Sequence, residues 1–481
     1  MTDPQPPASG IEYEPVIGIE VHVQLRTHSK MFTPAPNTYG EGPNTKTDPY
    51  TLGLPGTLPV ANKEAFTLAI RVGLGLDAEI ASYTKFDRKN YFYPDLPKGY
   101  QISQMDLPVT SNGKLPLANG KVIRINRAHL EEDAGKAMHT GGDASFVDLN
   151  RAGIPLLEIV SEADMRSAPE AVEYLERLKL LLRYLDVSDC DMEKGSLRCD
   201  VNVSIRPKGM EAFGTRTEIK NLNSFKAAEK AIGFEIRRHT SVLQAGDEVV
   251  QATMLWDEDK EQTRVMRTKE ESADYRYFPD PDLPPHHISE SWVEEVRATI
   301  PELPWIRAAR LRSLDGITEY DAGVLIQDRA VADFFERALA VSGDAKATCN
   351  WITSELFGVM KERGHDITSC GIPPARLGEL VRLVKDGIVG SGGGKKVLHA
   401  MYGTDKDPAA LVEELGVGQI SDEGALEAIV RQALEANPDT VSDIKAGKKK
   451  AAGAIVGWVM KETKGSANPG TVNRLIRELL D

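Results

Sequence analysis

The sequence predicts an α+β protein in which a sheet-containing N-terminal part is followed by helices. Between residues 11 and 290, apolar and polar residues alternate strictly along several segments, as they do in half-buried strands. From Trp292 onward, apolar residues recur instead at helical spacing. The chain has 481 residues, of which 41% are hydrophobic, so it is long enough for about two to four domains with real cores.

Changes of composition suggest where the domains meet. The stretch 274–285 is rich in proline and closes the segment of alternating residues. We therefore expect a disordered lead-in at 1–10, a sheet domain at 11–290, a helical domain at 291–405 and a small helical tail domain at 406–481.

Charge and composition exclude several classes of protein. The net charge of −14 argues against a general nucleic-acid binder, although it leaves room for a local basic surface. The longest apolar run, Ala451–Met460, falls short of the roughly 18 residues that span a membrane, and the N-terminus does not resemble a signal peptide. The four cysteines form no Cys-x-x-Cys pair, which indicates neither a disulfide scaffold nor a cysteine zinc site. We expect a cytoplasmic protein without a membrane segment.

The first predicted strand is Ile17–Leu25. Its apolar residues point to one face, and Glu20 and His22 share the other. Two residues apart on a strand, these side chains could bind the same cation. A surface Glu–His pair is the alternative.

A second group of candidate ligands follows the predicted strand Lys121–Ile125. Three consecutive carboxylates, Glu131 to Asp133, lie close to His129 and run into Gly135-Lys136. Acidic runs are usually solvated turns, but with a nearby histidine this run could also form part of a metal shell.

The stretch 86–104 interleaves aromatic residues with Arg88, Lys89 and Lys98. Such a pattern could stack on bases or line a channel. It could equally be a well-packed loop whose tyrosine hydroxyls are tied down.

The stretch 195–224 contains the densest set of candidate site residues. Its first half alternates, so Arg198, Asp200 and Asn202 share the polar face of one strand. The second half repeats the pattern with Arg216, Glu218 and Lys220 and ends at Asn223-Ser224, a good N-cap for a helix Phe225–His239. Carboxylates, cations and a helix N-terminus close together are what a phosphoryl-transfer site needs.

The remaining elements are predicted helices. A capping box at Ser167 opens a helix that ends near Leu185. The glycine-rich stretch 390–396 fails as a phosphate loop, because Val389 and Lys396 occupy positions that need glycine and Ser or Thr, so a hinge or a helix start is the better interpretation. Five further helices are predicted: Trp292–Thr299, Pro304–Leu314, Ala330–Val341, Ala347–Arg363 and Pro374–Val384.

Basic residues are concentrated near the C-terminus. They include Lys445, Lys448, Lys449 and Lys450. A basic face at the end of an acidic chain could hold a phosphate backbone, and a solvated lysine face is the equal alternative.

Taken in order, these segments closely resemble the B subunit of the aspartyl/glutamyl-tRNA amidotransferases, over nearly everything after residue 11. Seven segments carry the resemblance: Ile-Gly-Ile-Glu-Val-His-Val-Gln-Leu (17–25), the aromatic stretch 86–104, His-Leu-Glu-Glu-Asp-Ala-Gly-Lys (129–136), 148–162, Gly-Ser-Leu-Arg-Cys-Asp-Val-Asn (195–202), Glu-Ile-Lys-Asn-Leu-Asn-Ser-Phe (218–225) and Asp-Tyr-Arg-Tyr-Phe-Pro-Asp-Pro-Asp-Leu (274–283).

The resemblance implies a cradle-shaped catalytic domain with an antiparallel, glutamine-synthetase-like sheet, then an all-α domain and a tail domain that binds tRNA. It also implies a heterotrimer in which a partner glutaminase (amidase) supplies ammonia and a small third subunit clamps the other two. The B subunit would use ATP to phosphorylate the side-chain carboxyl of Glu-tRNA(Gln) or Asp-tRNA(Asn), and ammonia would then displace phosphate. Such an enzyme is a carbon–nitrogen ligase with glutamine as amido donor.

Pattern and resemblance together give the expected site. We expect ATP and Mg²⁺, with Glu20, His22, Glu131, Glu132 and Glu158 as metal ligands. Further catalytic residues would be Asp200, Glu218 and Lys220; contacts to ATP or substrate would come from Arg198, Asn202, Asn221, Asn223 and Ser224; and tRNA would be bound by Lys445, Lys448, Lys449 and Lys450.

Two departures from the resemblance matter. Many relatives have cysteines in the early loops, where this chain has Thr33, Ala35, Asp48 and Thr51, so we expect no structural zinc. This chain also has Gln251-Ala-Thr-Met254 where relatives tend to have Gln-Glu-Thr-Arg, which puts a charged role for that strand in doubt.

Two other functions compete with this one. A self-sufficient ligase for a small molecule would have no need of the basic tail. A non-catalytic tRNA-binding scaffold would avoid the carboxylates at Glu20, Glu131 and Glu132, because they repel phosphates.

Overall fold

The computed structural model describes residues 11–139, 144–268, 274–420, 423–445, 448, 451–463 and 466–480. The chain divides into two compact units, with the boundary between Leu303 and Pro304. The first unit contains the strands and the second is helical, which confirms the α+β class.

The strands of the first unit range from two to twelve residues. Their bounds are β1 Tyr13–Gln24, β2 Glu79–Ile80, β3 Tyr83–Thr84, β4 Asp87–Asn90, β5 Tyr100–Ser103, β6 Thr110–Pro116, β7 Val122–Glu132, β8 Lys136–His139, β9 Ser145–Asp148, β10 Pro155–Ser161, β11 Leu197–Pro207, β12 Thr217–Lys220, β13 Ala252–Asp257, β14 Gln262–Thr268, β15 Phe278–Pro279 and β16 His286–His287.

Four helices belong to the first unit and the others to the second. Their bounds are α1 Lys63–Gly75, α2 Ala168–Tyr184, α3 Phe225–Gln244, α4 Glu290–Arg297, α5 Pro304–Arg312, α6 Glu319–Leu325, α7 Arg329–Ser342, α8 Ala345–Asn350, α9 Phe357–Arg363, α10 Pro374–Lys385, α11 Ser391–Met401, α12 Pro408–Glu414, α13 Glu423–Ala436, α14 Pro438–Lys445, α15 Ala452–Glu462 and α16 Pro469–Leu480.

One large sheet organises the first unit. Its strands lie in the order β14-β13-β12-β11-β1-β10-β7-β6-β2. Neighbours are antiparallel except for the parallel pair β12 and β13. The sheet is therefore mixed, and its central strands are antiparallel as expected.

The alternation seen in the sequence produces the two faces of this sheet. The buried residues of β1 and β11 include Ile19, Val21, Val201 and Val203, all with no more than 1% of their surface exposed. α3 packs against β11, and α2 packs against α3. The opposite face carries the polar residues of the same strands, since successive side chains of a strand point to opposite sides.

Strand β7 differs from the prediction. It was expected to end at Ile125, but it continues through Glu132, so Glu131 and Glu132 lie in a strand and not in a solvated turn. The residues from Ala128 to Glu132 are all buried, because this end of β7 is covered on both sides. Alternation of apolar and polar residues changes phase between Ile125 and Ala128, so a pattern followed from Lys121 breaks there and underestimates the length of the strand.

The predicted helices are present with small changes at their ends. Ser224 caps α3, its hydroxyl accepting the Ala227 amide at 3.0 Å, and α3 runs five residues beyond the expected end at His239. The expected helix Ala347–Arg363 is interrupted by a π-helical turn at Trp351–Leu356. The glycine-rich stretch 390–396 begins α11, as one of its two interpretations predicted.

The tail forms a small core of its own within the second unit. Helices α13, α15 and α16 contribute to it, with Val430, Ile455, Val459 and Val472 each 0% exposed. In the part of the chain that the structure describes, no helix is long and apolar enough to cross a membrane.

A buried carboxylate ties α3 to the sheet. Glu235 is 0% exposed and accepts hydrogen bonds from the hydroxyls of Thr217 in β12, at 2.7 Å, and Thr263 in β14, at 2.6 Å. The guanidinium of Arg238 donates to both of its oxygens, and His239 lies 3.3 Å away. Because Thr217 precedes Glu218 on β12, this network fixes the strand that carries two candidate site residues.

We expect Glu235→Gln to lower the free energy of unfolding by about 3 kcal/mol at neutral pH, because it removes the charge that Arg238 pairs with. Burial opposes the charge of Glu235, but the bonds from Arg238, His239, Thr263 and Thr217 lower the pKa of its carboxyl below the ordinary 4.5. Its stabilisation is thus present above pH 4.5 and is lost as the pH falls further. Unfolding of the variant should depend less steeply on acid than unfolding of the wild type, as denaturant titration at several pH values would measure.

The matched control is Glu229→Gln on the same helix, where the side chain is exposed. Equal unfolding free energies for both variants would contradict the structural role of Glu235.

Candidate functional site

The polar face of the sheet arranges side chains from neighbouring strands in rows. One row, called here the His22 row, contains His129 of β7, Glu158 of β10, His22 of β1 and Arg198 of β11. The next row, the Glu20 row, contains Arg127, Val160, Glu20 and Asp200 on the same four strands. Adjacent strands lie about 4.8 Å apart, so each row brings four residues from distant parts of the chain within reach of one ligand.

Three side chains of this face converge closely. The Nε2 atom of His22 lies 3.2 Å from Oε2 of Glu158 and 3.7 Å from Oε1 of Glu131. Each of the three residues offers a ligand atom within 4.8 Å of the others. His129 adjoins the group, with Nε2 3.4 Å from Glu158. We call His22, Glu131 and Glu158 the cluster.

The ionisation of the cluster reflects crowded negative charge. Burial, and then the charge of Glu158, raise the pKa of Glu131 to about 7. Although burial opposes it, the hydrogen bond with Glu158 and the charges of Glu158, Glu131 and Asp200 raise the pKa of His22 to about 9. Burial lowers the pKa of His129 to about 4, so that imidazole is neutral.

The donor set of the cluster fits a divalent cation. Two carboxylates and an imidazole are common ligands of such ions, and the carboxylates are the type that Mg²⁺ prefers. A bound cation would also relieve the repulsion that raises the pKa of Glu131. His22, Glu131 and Glu158 of the expected ligands are therefore brought together.

The structure places the other two expected ligands elsewhere. Glu20 is next to the cluster in the Glu20 row, where its Oε1 accepts the Asn202 amide at 3.1 Å. Burial, and then the charges of Glu158, Glu218 and Asp200, raise its pKa. Glu132 points away from Glu131, because adjacent residues of a strand face opposite sides. Its carboxylate pairs with Lys98 and accepts the Ile102 amide at 3.0 Å.

The residues expected as further catalytic groups come together beside Glu20. The ammonium group of Lys220 pairs with Asp200 and lies 3.1 Å from Glu218. Although burial opposes its charge, these two carboxylates raise the pKa of Lys220. The expected catalytic residues therefore fall into three groups: Asp200 and Glu218 pair with Lys220, Glu132 pairs with Lys98, and His22 belongs to the cluster.

Most of the residues expected to contact ATP or substrate already make hydrogen bonds within the protein. Arg198 lies in the His22 row, but its guanidinium donates to Asp133 at 2.8 Å. The amide of Asn221 donates to the Trp256 carbonyl at 3.0 Å, and the Ser224 hydroxyl is the cap of α3. Asn223 is exposed in the same turn, directly before Ser224.

The tail lysines are only partly described. Lys445 is exposed at the end of α14, and Lys448 pairs with Asp443 at 2.8 Å. Lys449 and Lys450 lie outside the described residues.

Two loops noted in the sequence also have structural explanations. Arg88 of the aromatic stretch pairs with Asp280 and Asp282, each at 2.8 Å, whereas Phe92 and Tyr93 are exposed, so the stretch is packed only in part. At the positions where many relatives have cysteines, the Thr51 hydroxyl bonds to Asp48, and Thr33 accepts the Ala35 amide at 3.2 Å.

Two cations beside the cluster were not among the expected site residues, although Lys89 is noted above in the aromatic stretch. Lys89 of β4 is half-buried, and although burial opposes its charge, the charges of Glu131 and Glu158 raise its pKa. Arg127 precedes His129 by two residues on β7. The signal for Arg127 was a change in the phase of alternation between Ile125 and Ala128, which is visible in the sequence.

Comparison with known proteins gives a consistent family. Residues 15–294 match the family model described as the GatB/GatE catalytic domain, and residues 333–480 match the GatB domain. The chain is 50% identical over 476 residues to a protein of Carboxydothermus hydrogenoformans, covering 98% of this chain and 99% of the relative. It is 49% identical over 476 residues to one of Moorella thermoacetica and 51% identical over 474 residues to one of Persephonella marina, each match covering 98% of this chain and 100% of the relative. All three relatives are named as the B subunit of an aspartyl/glutamyl-tRNA(Asn/Gln) amidotransferase.

We expect Glu158→Gln to weaken binding of Mn²⁺, a spectroscopic substitute for Mg²⁺, by at least about tenfold, because it removes a charged ligand from the centre of the cluster. Titration of the purified protein followed by electron paramagnetic resonance would measure the affinity. Glu193→Gln, at an exposed position, is the control and should bind as the wild type does. Unchanged affinity in Glu158→Gln would show that the cluster is not a metal site.

Proposed function

The chain belongs to the family of aspartyl/glutamyl-tRNA(Asn/Gln) amidotransferase B subunits, and from this premise we propose that its sheet face activates the side-chain carboxyl of a misacylated tRNA. The substrates would be Glu-tRNA(Gln), Asp-tRNA(Asn) or both, and the products Gln-tRNA(Gln) and Asn-tRNA(Asn). The observation that carries the proposal is the convergence of His22, Glu131 and Glu158 beside Glu20.

The chemistry explains why such a site is needed. A carboxylate is a poor acyl donor, so one of its oxygens attacks the γ-phosphorus of ATP, the bond to ADP breaks and an acyl phosphate forms. Ammonia then attacks the acyl carbon, phosphate leaves with the bridging oxygen, and the nitrogen gives up a proton. The protein contributes mainly position and fixed charge to the first step.

The residues of the face have distinct roles in this proposal. His22, Glu131 and Glu158 would hold Mg²⁺, with Glu20 beside them. When bound, that ion supplies positive charge to the phosphoryl oxygens. Lys220 compensates one of the two negative charges of Asp200 and Glu218, which limits the repulsion between these residues and the phosphates of ATP.

Asp133 positions the guanidinium of Arg198. Asp133 is 3% exposed and also accepts the amide of Gln24 at 3.0 Å. Its bond holds the guanidinium of Arg198 at the end of the His22 row, where a phosphate could share it. We keep Arg198 as a phosphate contact on this basis, whereas Asn221 and Ser224 would contribute through the turn that they stabilise.

The partners follow from the same premise. We propose that ammonia comes from a partner glutaminase (amidase), that a small third subunit completes a heterotrimer, and that the enzyme is a cytoplasmic carbon–nitrogen ligase using glutamine as amido donor. The tail from 406 to 481 would bind tRNA, and the helices from 291 to 405 would connect it to the catalytic domain. No structural zinc is part of the proposal.

We expect Glu20→Ala and His22→Ala to reduce tRNA-dependent ATP hydrolysis at least about a hundredfold while leaving tRNA binding intact, because both change the phosphoryl-transfer site alone. The assay uses the complex with its partner subunits, Glu-tRNA(Gln), ATP, and ammonium in place of glutamine. Lys208→Ala, at an exposed position directly after β11, is the control.

The rival functions give other results in this assay. ATP hydrolysis that ignores tRNA would favour a small-molecule ligase. Full amidation by Glu20→Ala and His22→Ala would favour a scaffold without catalytic groups.

We expect the double change Lys445→Ala and Lys448→Ala to weaken tRNA binding about equally for all sequences, and to reduce the slope of affinity against salt by roughly one to two ions. Filter binding at several salt concentrations measures both. Changing the exposed Lys114 and Lys208 of the first unit in the same way should leave the slope unchanged, and a slope unaffected by the tail lysines would contradict their role.

A further inference from the structure

An irregularity in β7 determines which side chains reach the site. Ile125 is opposite Ser161, whereas Arg127 is opposite Val160, so two steps on β7 match one step on β10. This is a β-bulge, a feature that re-aims side chains and is frequent beside active sites. Before it, Ile123 and Ile125 point into the core.

The bulge reverses the alternation of the strand. Uninterrupted alternation from Ile125 would send Arg127 into the core with it. Instead Ala128 and Leu130 take the core positions, both 0% exposed, and Arg127 joins His129 and Glu131 on the face of the cluster. The strand thus places a cation in the Glu20 row, two strands or about 10 Å from Glu20.

The guanidinium of Arg127 differs from the other cations of this face. Its Nε is buried and has no hydrogen-bond partner among the described residues. The Nε of Arg198 is also buried without a partner, but its Nη2 is paired with Asp133, and Lys220 is paired with Asp200. Arg127 therefore differs from both in having no carboxylate partner among the described residues. A buried donor without a partner costs free energy, which a charge-assisted bond to an anion would recover.

There is space for a ligand beside this guanidinium. A cavity of about 370 Å³ is lined by Arg127, Ser111, Asn126 and the exposed residue Tyr83. Asp106 also lines it, but its carboxylate lies 2.6 Å from the ammonium group of Lys85, which compensates its charge. The cavity is open to a polar ligand and adjoins the row that contains Glu20.

We propose that Arg127 binds a phosphate oxyanion of the substrates as they meet the cluster. A guanidinium fork matches two oxygens of one phosphate, and no carboxylate among the described residues occupies it. This inference rests on the proposed function, which supplies two sources of the oxyanion: a phosphoryl group of ATP, or a phosphodiester at the 3′ end of the tRNA.

The test compares Arg127→Met and Arg127→Lys with Arg124→Met in the complex with its partner subunits. Arg124 is the matched control, because it lies on the same strand before the bulge and is exposed, with Asp164 as its bidentate partner at 2.7 and 2.9 Å. Steady-state amidation with ammonium gives kcat and the KM values for ATP and Glu-tRNA(Gln). Thermal unfolding of each variant shows whether it folds, and Arg127→Gln replaces any variant that does not.

We expect kcat/KM to fall at least tenfold in Arg127→Met, less in Arg127→Lys and under twofold in Arg124→Met. A larger KM for ATP would identify a phosphoryl group as the ligand, and a larger KM for the tRNA would identify a phosphodiester. Arg127→Met behaving as Arg124→Met would overturn the proposal.

Failure of the proposed function can be distinguished from failure of the proposed role of Arg127. If the wild-type complex cleaves no ATP in response to charged tRNA, the proposed function fails. Equilibrium binding of pyrophosphate and of uncharged tRNA then still decides the role of Arg127. At least tenfold weaker binding of either one by Arg127→Met supports it, and affinities equal to those of Arg124→Met for both refute it.

Discussion

Negative charge crowded on one face of the sheet is the constraint on which the site depends. Glu131 and Glu158 approach the same imidazole of His22, and Glu20 lies in the adjoining row. Burial and mutual repulsion raise the pKa of both Glu131 and Glu20, whereas for Glu158, although burial opposes its charge, bonding to His22 lowers the pKa. Such a face stores unfavourable energy that a bound cation can relieve.

The rest of the first unit keeps that face in place. Apolar residues of β1 and β11 bury the opposite side of the sheet. Glu235 anchors β12 from the same side, so Glu218 and Lys220 are held by a network that they do not belong to. Glu132 is paired with Lys98, so its carboxylate does not compete with the cluster for a cation.

Much of this arrangement could be predicted from the sequence. The rest depends on contacts between distant residues, which a local pattern does not show. The alternation in β1 and β11 is local, so it placed Glu20, His22, Asp200 and Asn202 on one polar face. The alternation in β7 changes phase between Ile125 and Ala128, so the strand predicted from that pattern stopped short of its observed end at Glu132.

Non-local contacts were equally out of reach. Glu131 and Glu132 face opposite sides of β7, but the sequence does not show which of them meets Lys98, 34 residues from Glu132, and which meets His22. The bulge at Arg127 depends on its register with β10. The sequence shows that the alternation of apolar and polar residues changes phase at the bulge. It does not show which residues of neighbouring strands the side chain of Arg127 then faces.

The central claim is that the carboxyl of the aminoacyl group becomes an acyl phosphate on this face. Oxygen transfer tests it most directly. Glu-tRNA(Gln) carrying ¹⁸O in the side-chain carboxyl is converted by the complex with ATP and ammonium, and the phosphate formed is analysed by mass spectrometry. An acyl phosphate predicts one ¹⁸O in each phosphate released, and no such label with His22→Ala. Unlabelled phosphate accompanying full formation of Gln-tRNA(Gln) would contradict the account.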